Sequence, residues 1–117
     1  MRVLLVEDDH SVRRATARML KLEGFEIIEA STAEEGLARC AEKTPDALVT
    51  DIRLPGALNG WDVAERCRES HPHIPVVYTT AHAGNRPRPV TRSVILSKPY
   101  TRQEVLDALR TPADRAE

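Results

Sequence analysis

The sequence lacks the features that mark membrane, secreted and nucleic-acid-binding proteins. Its only two cysteines, Cys40 and Cys67, have no CxxC spacing, and we interpret them as reduced, buried or half-buried thiols. No apolar run approaches the roughly 18 residues of a membrane span, and the acidic N-terminus does not resemble a signal peptide. A formal net charge of -1 provides no field for holding DNA or an anionic membrane. A cytoplasmic location, with neither nucleic acid nor membrane as partner, is the default expectation.

The composition is typical of one soluble globular domain. Hydrophobic residues make up 41% and charged residues 30% of the 117, which indicates a chain that buries a core. We therefore predict a single domain over residues 1–117. Residues 110–117 are expected to form a frayed tail.

Short apolar runs alternate with longer amphipathic stretches. The predicted strands are Val3–Val6, Glu26–Ala30, Ala47–Thr50, Val76–Thr79 and Val94–Leu96. Helices are predicted between them at Ser11–Glu23, from Ser31 or Thr32 through Ala41, at Trp61–Ser70, and after a Thr101 cap through Leu109. The first helix is predicted to bury Val12, Ala15, Met19 and Leu22. This alternation predicts an α/β fold with a doubly wound parallel sheet.

Chemically active side chains follow four of the predicted strands. They are Glu7-Asp8-Asp9, Asp51, Thr79-Thr80 and Ser97-Lys98-Pro99. In a parallel sheet these groups meet at one edge, where two carboxylates about 5 Å apart repel by roughly 3 kcal/mol. A divalent cation relieves that repulsion, and Mg²⁺ suits few fixed oxygen ligands together with phosphate. An aspartate in such a site is a competent phosphoryl acceptor.

These motifs resemble those of a bacterial response-regulator receiver domain, over nearly the whole chain. The matching segments are VEDD with Glu7 and Asp8, DIRLP with Asp51, TTA with Thr80, and KP with Lys98. The resemblance implies a flavodoxin-like, five-stranded parallel sheet with strand order 2-1-3-4-5. It also implies a free-standing regulator in two-component signalling or, as a second choice, a receiver from a hybrid kinase.

The resemblance implies that Asp51 accepts a phosphoryl group from a histidine kinase or a histidine phosphotransfer protein. Asp8, Asp51 and the backbone carbonyl of Arg53 would bind Mg²⁺ directly, and Glu7 would act through water. Asp9 is a weaker candidate ligand. The downstream target is expected to be a protein, and a homodimer is compatible with the resemblance.

The remaining implied roles concern the phosphoryl group and the switch. Thr80 and Lys98 would each bind a phosphoryl oxygen, and the Lys98-Pro99 peptide bond would be cis. Arg53 and His82 occupy the positions that tune phosphoryl lifetime. Ile95 occupies the position where the family usually carries a switching aromatic residue.

The segment between Thr80 and Lys98 departs from the family pattern. Gly84, Asn85, Pro87 and Pro89 crowd a stretch about one helical turn too short, so helix four is predicted to be short or missing. Since Ile95 carries no ring to rotate, we expect phosphorylation to order or shift residues 81–92 instead.

Two other functions stay open. One is a pseudo-receiver that binds partners without phosphorylation, and the other is a magnesium-dependent phosphohydrolase on a similar sheet. Glu7 or Asp8 also has a purely structural interpretation, as a cap of the first predicted helix. Trp61 is interpreted as a helix-packing residue.

Overall fold

The computed structural model describes residues 1–81 and 87–110. Strands and helices alternate up to the fourth strand, after which the fifth strand and a last helix follow. The strands are β1 (Arg2–Val6), β2 (Glu26–Ala30), β3 (Ala47–Asp51), β4 (Val76–Thr80) and β5 (Ser93–Ser97). The helices are α1 (His10–Leu22), α2 (Ala33–Lys43), α3 (Gly60–Ser70) and α4 (Arg102–Arg110). None of the described helices is long and apolar enough to cross a membrane.

All five strands form one parallel sheet in the order β2-β1-β3-β4-β5. This order confirms the predicted flavodoxin-like sheet. The register pairs Val6 with Thr50, Asp51 with Thr79, and Thr80 with Ser97. The carboxyl ends of β1, β3, β4 and β5 therefore lie side by side along one edge, as the sequence predicted.

The sheet is covered on both faces. Residues of α2 and α3 form one buried cluster with Leu4, Leu48 and Val76, and residues of α1 and α4 form another on the opposite face. Every residue of β3 and β4 is buried, which accounts for the apolar run that begins each strand. The central strands are thus held rigidly, and with them the residues at their ends.

The predicted buried face of α1 is wrong for two of its four residues; the other two, Val12 and Met19, are half-buried. The helix buries Thr16, Ala17 and Leu20, whereas Ala15 is exposed and Leu22 is 80% exposed. Thr16 is tolerated in the core because its hydroxyl shares a 2.8 Å hydrogen bond with the hydroxyl of Tyr100. A polar residue with a distant partner is invisible to hydrophobic spacing, so the predicted stripe was rotated.

The predicted buried face of α3 and the predicted caps of α2 and α4 agree with the structure. Val63, Ala64 and Cys67 form the buried face of α3 as predicted. Thr32 caps α2 by accepting a 3.0 Å hydrogen bond from the amide of Glu35. Thr101 caps α4 in the same way, with the amide of Glu104 as donor.

The connection from β4 to β5 contains no helix among its described residues, Ala81 and residues 87–92. Residues 82–86, which include His82, lie outside the described part of the chain. The predicted loss or shortening of helix four agrees with what is described.

Residues 88–92 run along α3, to which side chains attach them. The Arg88 guanidinium pairs with Asp62 at 3.1 Å and with Glu65 at 2.8 Å. The guanidinium of Arg68 donates to the backbone carbonyls of Thr91 and Arg92. This segment thus follows α3 without forming a helix of its own.

Candidate functional site

Three carboxylates meet at the carboxyl edge of the sheet. Glu7 and Asp8 directly follow β1, and Asp51 ends the neighbouring strand β3. One oxygen from each lies within 4.8 Å of the others. Glu7 and Asp51 are buried and Asp8 is exposed. Carboxylate oxygens so close together are a donor set that suits a hard divalent cation, so this cluster is able to hold a metal ion.

Lys98 supplies the positive charge among these carboxylates. Its Nζ donates to Oε1 of Glu7 at 2.8 Å and to Oδ2 of Asp51 at 3.2 Å. The lysine is positioned by its backbone, because its amide donates to the carbonyl of Thr80 at 2.8 Å, beyond the end of β5. The Lys98-Pro99 peptide bond is cis, as the resemblance implied.

Burial and the neighbouring charges both shift the pKa values of Glu7 and Lys98. Burial raises the pKa of Glu7; hydrogen bonds from Lys98 and the Asp9 amide oppose the rise, and the Asp51 charge adds to it. Burial alone would lower the pKa of Lys98, but its hydrogen bond to Glu7 and the charges of Asp51 and Glu7 prevail and raise that pKa. One ammonium serves two buried carboxylates, with Asp8 adding a third charge nearby. A further cation would complete the balance.

A cavity of about 260 Å³ opens over the cluster. Its lining consists of Asp8, Asp51, Arg53, Thr80, Ala81 and Lys98. A larger cavity of about 490 Å³ lies along α1, but none of the predicted site residues lines it. The smaller cavity is therefore the relevant one, because it brings candidate metal ligands, acceptor, hydroxyl and ammonium together.

Asp9 is the N-cap residue of α1. Its Oδ1 accepts a 3.0 Å hydrogen bond from the amide of Val12 and so caps α1, while its own amide donates to Glu7 at 3.1 Å. The capping role considered for Glu7 and Asp8 falls to Asp9, which is absent from the carboxylate cluster. This arrangement leaves the other two acids to the site.

Arg53 and Ile95, which were expected to tune and to switch the site, differ in their position relative to the cavity. Arg53 is exposed and lines the cavity that Asp51 also lines. Ile95 lies on β5, is 43% exposed and does not line the cavity. The structure thus brings together Glu7, Asp8, Asp51, Arg53, Thr80 and Lys98 but leaves Ile95 apart.

Gly60 is a supporting residue that was not among the predicted site residues. A Cβ atom there would overlap the carbonyl oxygen of Asp51 and lie 2.8 Å from the Cα of Ile52. The Gly60 amide also donates to the carbonyl of Ile52 at 2.8 Å. The start of α3 therefore packs directly on the backbone of Asp51. Asn59 and Asp62 form a capping box at this helix start, in which each side chain accepts a hydrogen bond from the backbone amide of the other. Their spacing of three residues is recognisable in the sequence.

The chain belongs to the response regulator receiver domain family, whose model matches residues 3–110. It is 35% identical over 118 residues to nodulation protein W of Bradyrhizobium diazoefficiens, covering 97% of this chain and 51% of that protein. It is 32% identical over 127 residues to response regulator MprA of Mycobacterium leprae, covering 100% of this chain and 55% of that protein.

A solved structure agrees with the family. The response regulator receiver protein from Sinorhizobium medicae WSM419 superposes with a TM-score of 0.91 at 28% identity, covering 100% of this chain and 97% of that one. The chain spans about half the length of the two curated relatives above. Membership of this family is consistent with a role in two-component signalling.

The buried ion pair generates a stability prediction. In a double-mutant cycle with Lys98→Met and Glu7→Gln, measured by urea unfolding without divalent cations, we expect a coupling of about 1.5–3 kcal/mol. Lys98→Met leaves the buried Glu7 without its cation, and Glu7→Gln removes one of the two carboxylates that hold the Lys98 ammonium. The exposed pair Arg102 and Glu23, at 2.7 Å, is the matched control and should couple by less than about 1 kcal/mol. Equal coupling energies would contradict the interpretation of the buried pair.

Proposed function

We propose that the protein is a phosphorylation-controlled switch in two-component signalling, with Asp51 as the phosphoryl acceptor. The observation that carries the proposal is the position of Asp51. Its carboxylate ends a fully buried strand, faces the cavity and contacts the ammonium of Lys98 at 3.2 Å. A nucleophile fixed among charges that neutralise phosphoryl oxygens is what this reaction needs.

The proposed donor is the phosphohistidine of a histidine kinase or a histidine phosphotransfer protein. A carboxylate oxygen of Asp51 forms a bond to phosphorus while the bond from phosphorus to the histidine nitrogen breaks, and the nitrogen keeps the electron pair. Lys98 stabilises the charge on one phosphoryl oxygen, and the Thr80 hydroxyl donates a hydrogen bond to another. Water later attacks the same phosphorus and restores the carboxylate.

The proposed cofactor is Mg²⁺, bound by Asp8, Asp51 and the backbone carbonyl of Arg53, with Glu7 acting through water. The clustered carboxylate oxygens support this assignment. When bound, the ion neutralises charge on the phosphoryl oxygens. The side chain of Arg53 flanks the cavity and, with His82, is proposed to regulate how water reaches the acyl phosphate.

The proposed output is a change in protein contacts in the cytoplasm. Tyr78 supports a route for it, because its ring contacts Trp61 at a centroid distance of 4.6 Å and its hydroxyl accepts from the Val90 amide at 3.0 Å. Trp61 follows Gly60, which packs on Asp51. Packed groups thus connect the acceptor to residues 87–92 without using the position of Ile95. The downstream protein and any homodimer are parts of the same proposal.

Phosphorylation itself is tested with a small phosphodonor. Acetyl phosphate and Mg²⁺ should add one phosphate to the intact mass of the wild-type chain, and Asp51→Asn should abolish the gain because the nucleophile is lost. Asp107→Asn makes the same change of charge on α4, outside the cavity lining, and should leave the gain intact. An unchanged mass for the folded wild type would exclude the proposed function. Repeated turnover of diverse phosphoesters would instead favour a phosphohydrolase.

Mg²⁺ should stabilise the fold because it binds only the assembled carboxylates. At ten times its Kd, it should add about 1.4 kcal/mol and raise the melting temperature by about 5 °C. Asp8→Asn should remove most of the rise, and Glu42→Gln, at an exposed position of α2, should not. A melting temperature that is indifferent to Mg²⁺ in the wild type would refute the proposed metal site.

The proposed output route predicts a localised change in amide hydrogen exchange. Addition of beryllofluoride and Mg²⁺, which together mimic the phosphorylated state, should alter exchange in residues 87–92. The change should be clearest at the Val90 amide, because that amide donates a hydrogen bond to the hydroxyl of Tyr78. Amides of β2 serve as the internal control, since this strand lies at the far edge of the sheet. Unchanged protection at Val90 would refute this route while leaving Asp51 as the acceptor.

A further inference from the structure

A second reactive group lies away from the phospho-acceptor site. Cys40 on α2 and Cys67 on α3 are both free, and their sulfurs are 3.2 Å apart. They are 6% and 1% exposed. A disulfide needs a sulfur separation of about 2.05 Å, so an approach of about 1.2 Å would form the bond. Two thiols in hydrogen-bonding contact are thus placed for pairing within one chain.

The surroundings of this pair offer access to a small molecule. A cavity of about 300 Å³ between α2 and α3 has both sulfur-bearing residues in its lining, together with Arg66 and His71. Neither cysteine lines the cavity that contains Asp51. Chemistry at the two sites can therefore be measured separately.

We propose that Cys40 and Cys67 form an oxidant-sensitive dithiol, which a hydroperoxide converts into an intramolecular disulfide that joins α2 to α3. The Cys40 thiolate attacks one peroxide oxygen, the oxygen–oxygen bond breaks, and the leaving alkoxide or hydroxide takes the proton from the original thiol. Cys40 is then a sulfenic acid. The Cys67 sulfur attacks this sulfur, the sulfur–oxygen bond breaks, and the oxygen leaves as water with the Cys67 proton.

The balance of the reaction is complete. Two thiols lose two protons and two electrons, and the hydroperoxide is reduced to an alcohol (or water) and water. Cys40 is the first to react because it is the more exposed thiol. Burial and the neighbouring Cys40 thiol raise the pKa of Cys67, which disfavours it as the attacking group in the first step.

The consequence of the disulfide is a tie between two helices that cover the same face of the sheet. The bond would close a loop between residues 27 positions apart, which restricts the unfolded chain more than the folded one. Oxidation should therefore raise the melting temperature, on the order of 10 °C for a domain of this size. The dithiol would make the stability of the fold respond to peroxide.

The test uses the wild-type chain, fully reduced and then treated with hydrogen peroxide in native buffer. The expected product is a monomer that has lost two hydrogen atoms. Its non-reducing peptide map should contain one linked pair, Cys40 with Cys67, and its melting temperature should be raised. Dithiothreitol should reverse all three changes. Free thiols, over-oxidised cysteines or disulfides between chains, each without the linked pair, would overturn the proposal.

The single variants Cys40→Ala and Cys67→Ala are the matched controls, and both should lose the stabilisation by peroxide. Cys40→Ala should also react more slowly than Cys67→Ala with a sulfenic-acid probe, because it lacks the first-reacting sulfur. An equal rise in melting temperature after peroxide treatment of the two variants would overturn the disulfide as its cause. If neither variant folds, the linked peptide from the wild type still decides the question.

Discussion

The carboxyl edge of the sheet depends on the contact of one ammonium with two buried carboxylates. Lys98 reaches Glu7 and Asp51 at 2.8 and 3.2 Å, although its strand is separated from β3 by β4. Buried carboxylates without such a partner would be strongly destabilising, so the strand ends can carry this charge only because the lysine meets it. The same excess of acid leaves the site suited to a divalent cation.

The site is also joined to the body of the fold through close packing. Gly60 allows the start of α3 to pack on the backbone of Asp51. The next residue, Trp61, contacts the ring of Tyr78, whose hydroxyl accepts a hydrogen bond from the amide of Val90. These contacts lie on α3, on β4 and in the segment before β5. Ile95 on β5 is exposed, and the proposed output route does not use it.

Much of this was predictable because the governing interactions are local. Buried parallel strands leave apolar runs in the sequence, and the acids, threonine and lysine at their ends predicted the cluster that the structure brings together. The face of α1 was mispredicted because the partner of Thr16, Tyr100, lies 84 residues away. The contact of Cys40 with Cys67 was hidden as well, because the packing of two separate helices creates it. The contact of Gly60 with Asp51 depends on the course of the loop between β3 and α3, which the hydrophobic pattern does not specify.

The central claim is that Asp51, and no other side chain, carries the phosphoryl group. Borohydride reduces an acyl phosphate to the alcohol, so it converts a phosphorylated aspartate into homoserine. After treatment with acetyl phosphate and Mg²⁺ followed by borohydride, peptide sequencing should find homoserine at position 51 alone, and only when Mg²⁺ was present. Homoserine at position 8, a stable phosphate on serine or threonine, or an unmodified Asp51 would contradict the account.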